Sequence, residues 1–474
     1  MLFSIKKMEF TMKASEKIFS NELSKPPTHY ILHWDGKIFK ATEHSKKNEE
    51  RIAIVLTTSD GAEILLGIMP VANGTAAEEH SIILSLLNEK QISLDKIAGC
   101  VFDTTSVNTG ELNGIVRRLE TSLCHPVLEL ACRHHIYELV CGASSEIVLG
   151  KTQGKNKKTT TSPYDSLFKK MADSWNTIAT DKIDIFDHTL FSLTLAEHIS
   201  EAKIFLYNWL DNEKTQRDDY QEMAKLCLIY LGGNLPKKMS NFKFRAPGAY
   251  THARWMSKVL YILRLAMLKP HFANDIVRIR SLAVFYSVYY SRFWLTSIIP
   301  SEAPSQDLTC LRTLEGLSCA TGLWPEGIKD IAKAAYDKLR CHTWYLSERL
   351  VGLALFSDNV GTSTKETMRT AILKHNKKPA HTEQQRPECS SFLRRQLKHF
   401  VGPDTHTLFD LLHLKKDFLN QPASKWDSSS IYEQNKSIVK AIPVVNDAAE
   451  RALSLATTRH GQKCLEQKSI AKHL

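Results

Sequence analysis

The sequence predicts an α/β fold continued by a long all-helical stretch, and two observations carry that reading. Between residues 29 and 131, apolar runs of strand length alternate with helical periodicity in the order βββαβαβ. Between residue 163 and about residue 440 the periodicity is helical almost throughout, with no strand alternation of any length. The 474 residues could form two to four domains, and a 43% hydrophobic content is enough to bury a core.

Residues 1–28 read as a loose arm ending in Lys25-Pro26-Pro27. The runs THYILHWDGKIF, ERIAIVLTTS and GAEILLGIMPV are short, apolar and separated by turn residues, so they predict three consecutive strands. From Thr75 to Gln91 the pattern turns helical, with Ile82, Ile83, Leu86 and Leu87 on one face. IAGCVFD then returns to strand, ELNGIVRRLETSL to helix and HPVLELA to strand.

Within that order, VFDTTSVNTGELNGIVRRLE ends an apolar run on Asp103 and passes through a polar turn into a helix. A carboxylate at a strand tip sits on a rigid element facing solvent, as a metal ligand or acid/base group requires. An aspartate there also serves commonly as a turn former or helix cap. The last strand runs into ACRHHIYELV, where Cys132 and His135 form a CxxH. A zinc site would need two further ligands, and none is suitably spaced.

Residues 150–161, GKTQGKNKKTTT, read as a linker. They do not form a P-loop: the glycines are one residue too close and no Ser or Thr follows Lys155. In the helical stretch, HARWMSK places Arg254 and Trp255 at the start of a helix running to about Leu268. KHNKKPAHTEQQRPECSS, almost free of large apolar residues, predicts an exposed or disordered loop. Ser281 to Pro300 is interrupted by Arg292 and reads as a buried aromatic helix rather than a membrane span. The ten cysteines are scattered without a CxxC pair, and lysines interrupt the first apolar residues, so reduced thiols and a protein that is not secreted are expected.

The net charge of +11 is concentrated. Between Lys237 and Arg292 stand eleven Lys or Arg, among them Lys237, Lys238, Lys243, Arg245, Arg254 and Lys258, against one acid, Asp275. Phe242, Phe244, Tyr250, Trp255, Tyr261 and Phe272 are interleaved with them. Basic and aromatic residues mixed in this way suit a phosphate-binding, base-stacking surface. The same pattern also arises when aromatics form helix core beneath a solvated charged face.

Near the end, IPVVNDAAERALSLATT predicts a helix capped by Asn446 or Asp447, with Val445, Ala449 and Leu453 on one face and Glu450 one position round. The order βββαβαβ resembles the RNase H-like core. With HWDGK, FDTTSVNTG, CRHH, HARWMSK and NDAAERALSL in that sequence, the chain resembles the hAT superfamily of DNA transposases. The resemblance spans Asp35 to Leu455 and implies an RNase H-like mixed-sheet core interrupted by a large all-α insertion. It divides the chain into an arm (1–28), the first part of the core (29–150), the insertion (151–442) and a core-completing helix with a dimerisation remnant (443–474).

The resemblance further implies that Asp35, Asp103 and Glu450 form a D-D-E triad holding two Mg²⁺ or Mn²⁺ ions, with Cys132 and His135 beside it. Trp255 would stabilise a displaced base. The reaction would be phosphodiester hydrolysis and strand transfer on DNA, in the nucleus or otherwise the cytoplasm, with a homo-oligomer formed through the C-terminal region and no membrane partner. The chain departs from the pattern in having no Cys/His set for a BED-type zinc finger in its first residues and no long apolar helix after Ser454. The alternative is a domesticated or truncated protein on the same scaffold that binds DNA or partners without catalysis.

Overall fold

The structure, a computed structural model, describes residues 27–39, 49–150, 163–180, 182–212, 217–246, 256–270, 275–375, 383–449, 451–452 and 455. Strands β1 (Tyr30–Phe39), β2 (Glu49–Thr58) and β3 (Glu63–Pro70) form an antiparallel meander. Helix α1 (Ala76–Glu89) leads to β4 (Ile97–Phe102). A single turn α2 (Ser106–Thr109) and helix α3 (Ile115–Leu123) lead to β5 (Leu128–Ala131), and α4 (Arg133–Leu149) follows directly. The result is one five-stranded mixed sheet in the order β3-β2-β1-β4-β5, with β4 parallel to both neighbours. The βββαβαβ order expected from the sequence is the order observed.

Every residue of β4 and β5 is buried, the signature of parallel strands covered on both faces. Gly99 in β4 is fitted to this crowding, since a Cβ there would lie 3.0 Å from Leu128 Cβ and 3.1 Å from Ile31 Cδ1. The outer edge of β5 is closed by side chains. Arg349 Nη1 donates to the Val127 carbonyl (2.8 Å), Tyr345 Oη to the Ala131 carbonyl (2.8 Å), and the Gln384 amide pairs with both the N–H and the carbonyl of Glu129 (3.1 and 3.4 Å). An open edge offers unpaired backbone groups to other chains, so these contacts both satisfy the edge and block pairing. Gln384 belongs to the segment expected to be an exposed loop. Glu383 is exposed, but Gln384 is buried because it completes the strand edge, and residues 376–382 lie outside the described set.

The middle of the chain is helical, as its periodicity indicated. Its helices include α5 (Pro163–Asp173), α6 (Leu193–Asn212), α7 (Asp218–Tyr230), α8 (Met256–Leu268), α9 (Ile276–Phe285), α10 (Ser291–Thr296), α11 (Ala303–Ser318) and α12 (Ile328–Leu339), with further helices to Lys440. A π-helical turn, Tyr286–Tyr290, joins α9 to α10 and stacks its tyrosines inward, so the stretch around Arg292 is the buried aromatic helix expected. No helix among the described residues is long and apolar enough to cross a membrane.

After this helical middle the chain returns to the sheet. The Arg133 N–H donates to the Val444 carbonyl (2.9 Å), and Ala448, Ala449 and Ala452 pack on Ala53, Val55, Leu65 and Ile68. The expected apolar face differs in detail: Val445 is only half-buried, Leu453 lies outside the described side chains, and alanines make the contact. Small residues let this helical segment lie close against the sheet.

Candidate functional site

The register of β1 against β4 pairs Ile31 with Gly99, Leu32 with Cys100 and His33 with Val101. One residue further along each strand, Trp34 and Phe102 stack with ring centroids 5.9 Å apart, so the register continues beyond the last ladder pair. The next residues are Asp35 and Asp103. Adjacent strands run about 4.8 Å apart, so the two half-buried aspartates are brought to neighbouring positions where β4 ends.

Asp103 is held by its own turn. Its Oδ1 accepts from Thr105 Oγ1 (2.6 Å), the Thr105 N–H (3.2 Å) and Asn108 Nδ2 (2.5 Å). Asn108 in turn accepts from Trp34 Nε1 through its Oδ1 (2.8 Å), which fixes the amide orientation and ties β1 to the turn after β4. Gly114 closes the same turn: a Cβ there would sit 2.6 Å from both the Asn108 carbonyl and the Gly110 nitrogen. The glycine and asparagine of VNTGELNG therefore shape the carboxylate's seat.

Glu79 of α1 belongs to the same region. Its carboxyl is pushed up to about 7, first by burial and then by the charges of Glu50, Asp103 and Glu78. Burial is the main cause, and the neighbouring acids add to it. Sequence reading passed over Glu79, because a glutamate in the first turn of a helix is ordinary there.

The returning segment is bolted to the site by three contacts. Asn446 Nδ2 donates to the Trp34 carbonyl (2.8 Å), its backbone N–H donates to Cys132 Sγ (3.1 Å), and Arg451 Nη2 donates to His33 Nδ1 (2.8 Å). The last contact makes Nδ1 an acceptor, so the ring proton of buried His33 lies on Nε2 and is donated to Thr57 Oγ1 (2.9 Å). Burial, then Arg451, holds this histidine well below its ordinary pKa, so it is neutral. Arg451 also pairs with Glu63 and with Asp447 (2.6 Å for Asp447). Neither Arg451 nor Asn108 carried a signal in the sequence, since the contacts that tie each of them to β1, with His33 and with Trp34, span 418 and 74 positions.

Cys132 and His135 lie at the start of α4, directly after β5. Cys132 is buried, and its Sγ caps the helix by accepting the His135 N–H (3.5 Å), while His135 Nδ1 lies 3.6 Å from Glu138. Burial pushes the thiol up to about 12, so it stays protonated. Among the described residues no three His, Cys, Asp or Glu converge as a metal-ligand group. Glu450, the third acid of the expected triad, lies outside the described residues, as do Arg254 and Trp255.

The basic stretch divides. Lys237, Lys238, Lys243 and Arg245 are exposed, with Lys238 near Asp211 (3.7 Å) and Arg245 paired with Asp218 (2.9 Å). Lys258 is half-buried on α8. Arg264 is buried against Glu222 (3.3 Å), and Lys269 and Arg280 both pair with Asp184. Tyr261 is core, and Phe242 and Phe244 pack edge-to-face at 5.2 Å on the core's margin. Much of the interleaving is therefore helix packing with internal ion pairs, and among the described residues of the stretch it is 237–245 that present basic groups together on the surface.

No protein-family model matches the chain, and no curated protein matches it.

Proposed function

We propose that this chain is an hAT-like, transposase-derived protein with an RNase H-like core, acting on DNA phosphodiesters through Asp35, Asp103 and Glu450. The observation that carries the reading is the placement of Asp35 and Asp103 on adjacent parallel strands of a β3-β2-β1-β4-β5 sheet. Support also comes from the tail, which returns to that end of the sheet through Asn446 and Arg451, the residues bracketing the segment that contains Glu450.

Oxygen donors and partial exposure of the two aspartates fit hard divalent cations such as Mg²⁺ or Mn²⁺. A pair of such ions would supply Lewis acidity to the phosphate and an activated water or 3′ hydroxyl. The chain's own residues do the positioning. Thr105 and Asn108 fix the Asp103 rotamer through Oδ1, and Arg451 and Asn446 lock the tail onto β1. The exposed Lys237, Lys238, Lys243 and Arg245 would hold the DNA backbone, and a DNA substrate implies a nuclear location.

The test is an Mn²⁺-dependent nicking assay on end-like DNA with wild type, Asp35→Ala and Asp103→Ala. Nicking abolished by both substitutions is expected, whereas nicking indifferent to Asp103 removes the enzyme reading. Removing the four basic residues should also flatten the salt dependence of DNA binding, by about one unit of log–log slope for each phosphate that is no longer neutralised.

A second reading, a DNA-binding protein without chemistry, draws on the three donors at Asp103 Oδ1. They are what a purely structural turn aspartate would make. DNA binding with normal salt dependence but no nicking on any substrate would select it.

A further inference from the structure

Beside the turn that carries Asp103, a cavity of about 1270 Å³ opens between residues 108–117, residues 340–348 and the segment 383–392. Its floor continues the aromatic stack beneath the two aspartates. Trp34 stacks on Phe102, Phe102 meets Trp344 edge-on at 5.9 Å, and the Arg386 guanidinium lies 4.6 Å above the Trp344 ring. Arg386 is exposed yet fixed, because its Nη1 donates to the Cys341 carbonyl at 2.6 Å. A planar cation is thus anchored over an indole at the cavity wall, on a column whose strand members immediately precede Asp35 and Asp103.

The chemistry of the wall selects among ligands. Six carboxylates and three guanidiniums line it, and one of those guanidiniums, Arg117, is already bracketed by Glu120, Glu129 and Glu383. The excess of acid disfavours a phosphate inside. A guanidinium anchored over an indole favours the face of a heteroaromatic ring. Exposed Glu383, Gln385 and Glu388 offer acceptors for amino groups at the ring's edge. Trp344, 5% exposed, has an indole N–H with no acceptor among the described residues.

We propose that this cavity receives an unpaired nucleobase bearing an exocyclic amino group, stacked on Arg386 with its phosphates left at the mouth. The proposal deepens the DNA reading above and rests on it for the source of the base. Adenine, cytosine and guanine fit; thymine, with no amino group, fits poorly.

The test uses the full chain and a single-stranded oligonucleotide carrying one 2-aminopurine, followed by fluorescence, with adenosine, cytidine and thymidine as competitors. Wild type should quench the probe, and adenosine and cytidine should compete about tenfold better than thymidine. Arg386→Ala, and Arg386→Lys, which keeps the charge but loses the plane, should each weaken adenosine binding about tenfold or more. Adenosine affinity unchanged by both substitutions, or thymidine competing equally, overturns the proposal. Duplex DNA retention at low salt is measured in parallel. Retention together with Arg386-independent nucleoside binding overturns the cavity assignment alone. Arg386-dependent nucleoside binding without duplex retention supports the cavity and overturns the DNA reading instead.

Discussion

Cys132 Sγ accepts the backbone N–H of Asn446 at 3.1 Å, joining residues 314 positions apart at the end of the sheet that carries Asp35 and Asp103. The same sulfur accepts the His135 N–H at 3.5 Å, so one buried side chain caps α4 and anchors the returning tail. Serine or aspartate at this position can accept the same two donors, whereas valine leaves both backbone groups without an acceptor. Cys132→Val is expected to lose about 1–3 kcal/mol, read as a lower urea midpoint at unchanged slope, with Cys132→Ser closer to wild type. A zinc-selective chelator should leave the wild-type midpoint where it was, because the thiol acts as a hydrogen-bond acceptor rather than a zinc ligand. Equal stability of the valine and wild-type proteins would show that the clamp carries no weight.

Asn108 connects the two strands through its amide. Asn108→Ala removes the acceptor of Trp34 Nε1 and a donor to Asp103, leaving a buried indole N–H unpaired at a cost of about 1–3 kcal/mol. Under the proposed function, nicking should fall further than the loss of folded protein explains, because the Asp103 rotamer is released. A nicking loss that follows folded fraction alone would reduce Asn108 to a structural residue.

Gly114 admits no side chain without moving backbone, since the obstructing atoms at 2.6 Å belong to the main chain of Asn108 and Gly110. Gly114→Ala should therefore destabilise by about 1–3 kcal/mol, the range of an overpacked site, seen as a fall in Tm. Gly322→Ala is a useful contrast. Its Cβ would meet nothing within 4 Å, so any cost there comes from the φ of +87° alone.

The pair Glu120 and Glu129 gives the chain a pH dependence. Burial, followed by the charge of Glu129, pushes the Glu120 carboxyl up to about 7 from an ordinary value of 4.5, even though Arg117 and Arg349 pull the other way. The folded protein therefore holds this proton more tightly than the unfolded chain. The stabilisation is complete below about pH 4.5 and is lost as pH rises through about 7. Glu120→Gln, which cannot titrate, should flatten the decline in urea midpoint between pH 5 and pH 8. A decline as steep in the glutamine variant would assign it to another group.

The strand and helix order of the first 150 residues was legible in the sequence because each element there obeys a local period. β4 is a short apolar run and α1 keeps its apolar residues at helical spacing, and both appear where that spacing puts them. Asp103 was legible as a strand-end carboxylate for the same reason. The basic stretch was less legible, because a residue pattern does not reveal which cations meet internal acids. Arg264 finds Glu222 and Lys269 finds Asp184 only after the helices pack.

By itself, then, the sequence determined the elements, the helical middle and the strand-tip position of Asp103, all of which follow from the periodicity of neighbouring residues. Tertiary structure alone decided that Gln384 closes the β5 edge and that Arg451 and Asn446 fasten the tail to β1. The physical reason is that these contacts join residues up to 418 positions apart. No local spacing encodes them, and they exist only once burial of the apolar faces has brought the strands, the helical middle and the returning tail to one end of the sheet.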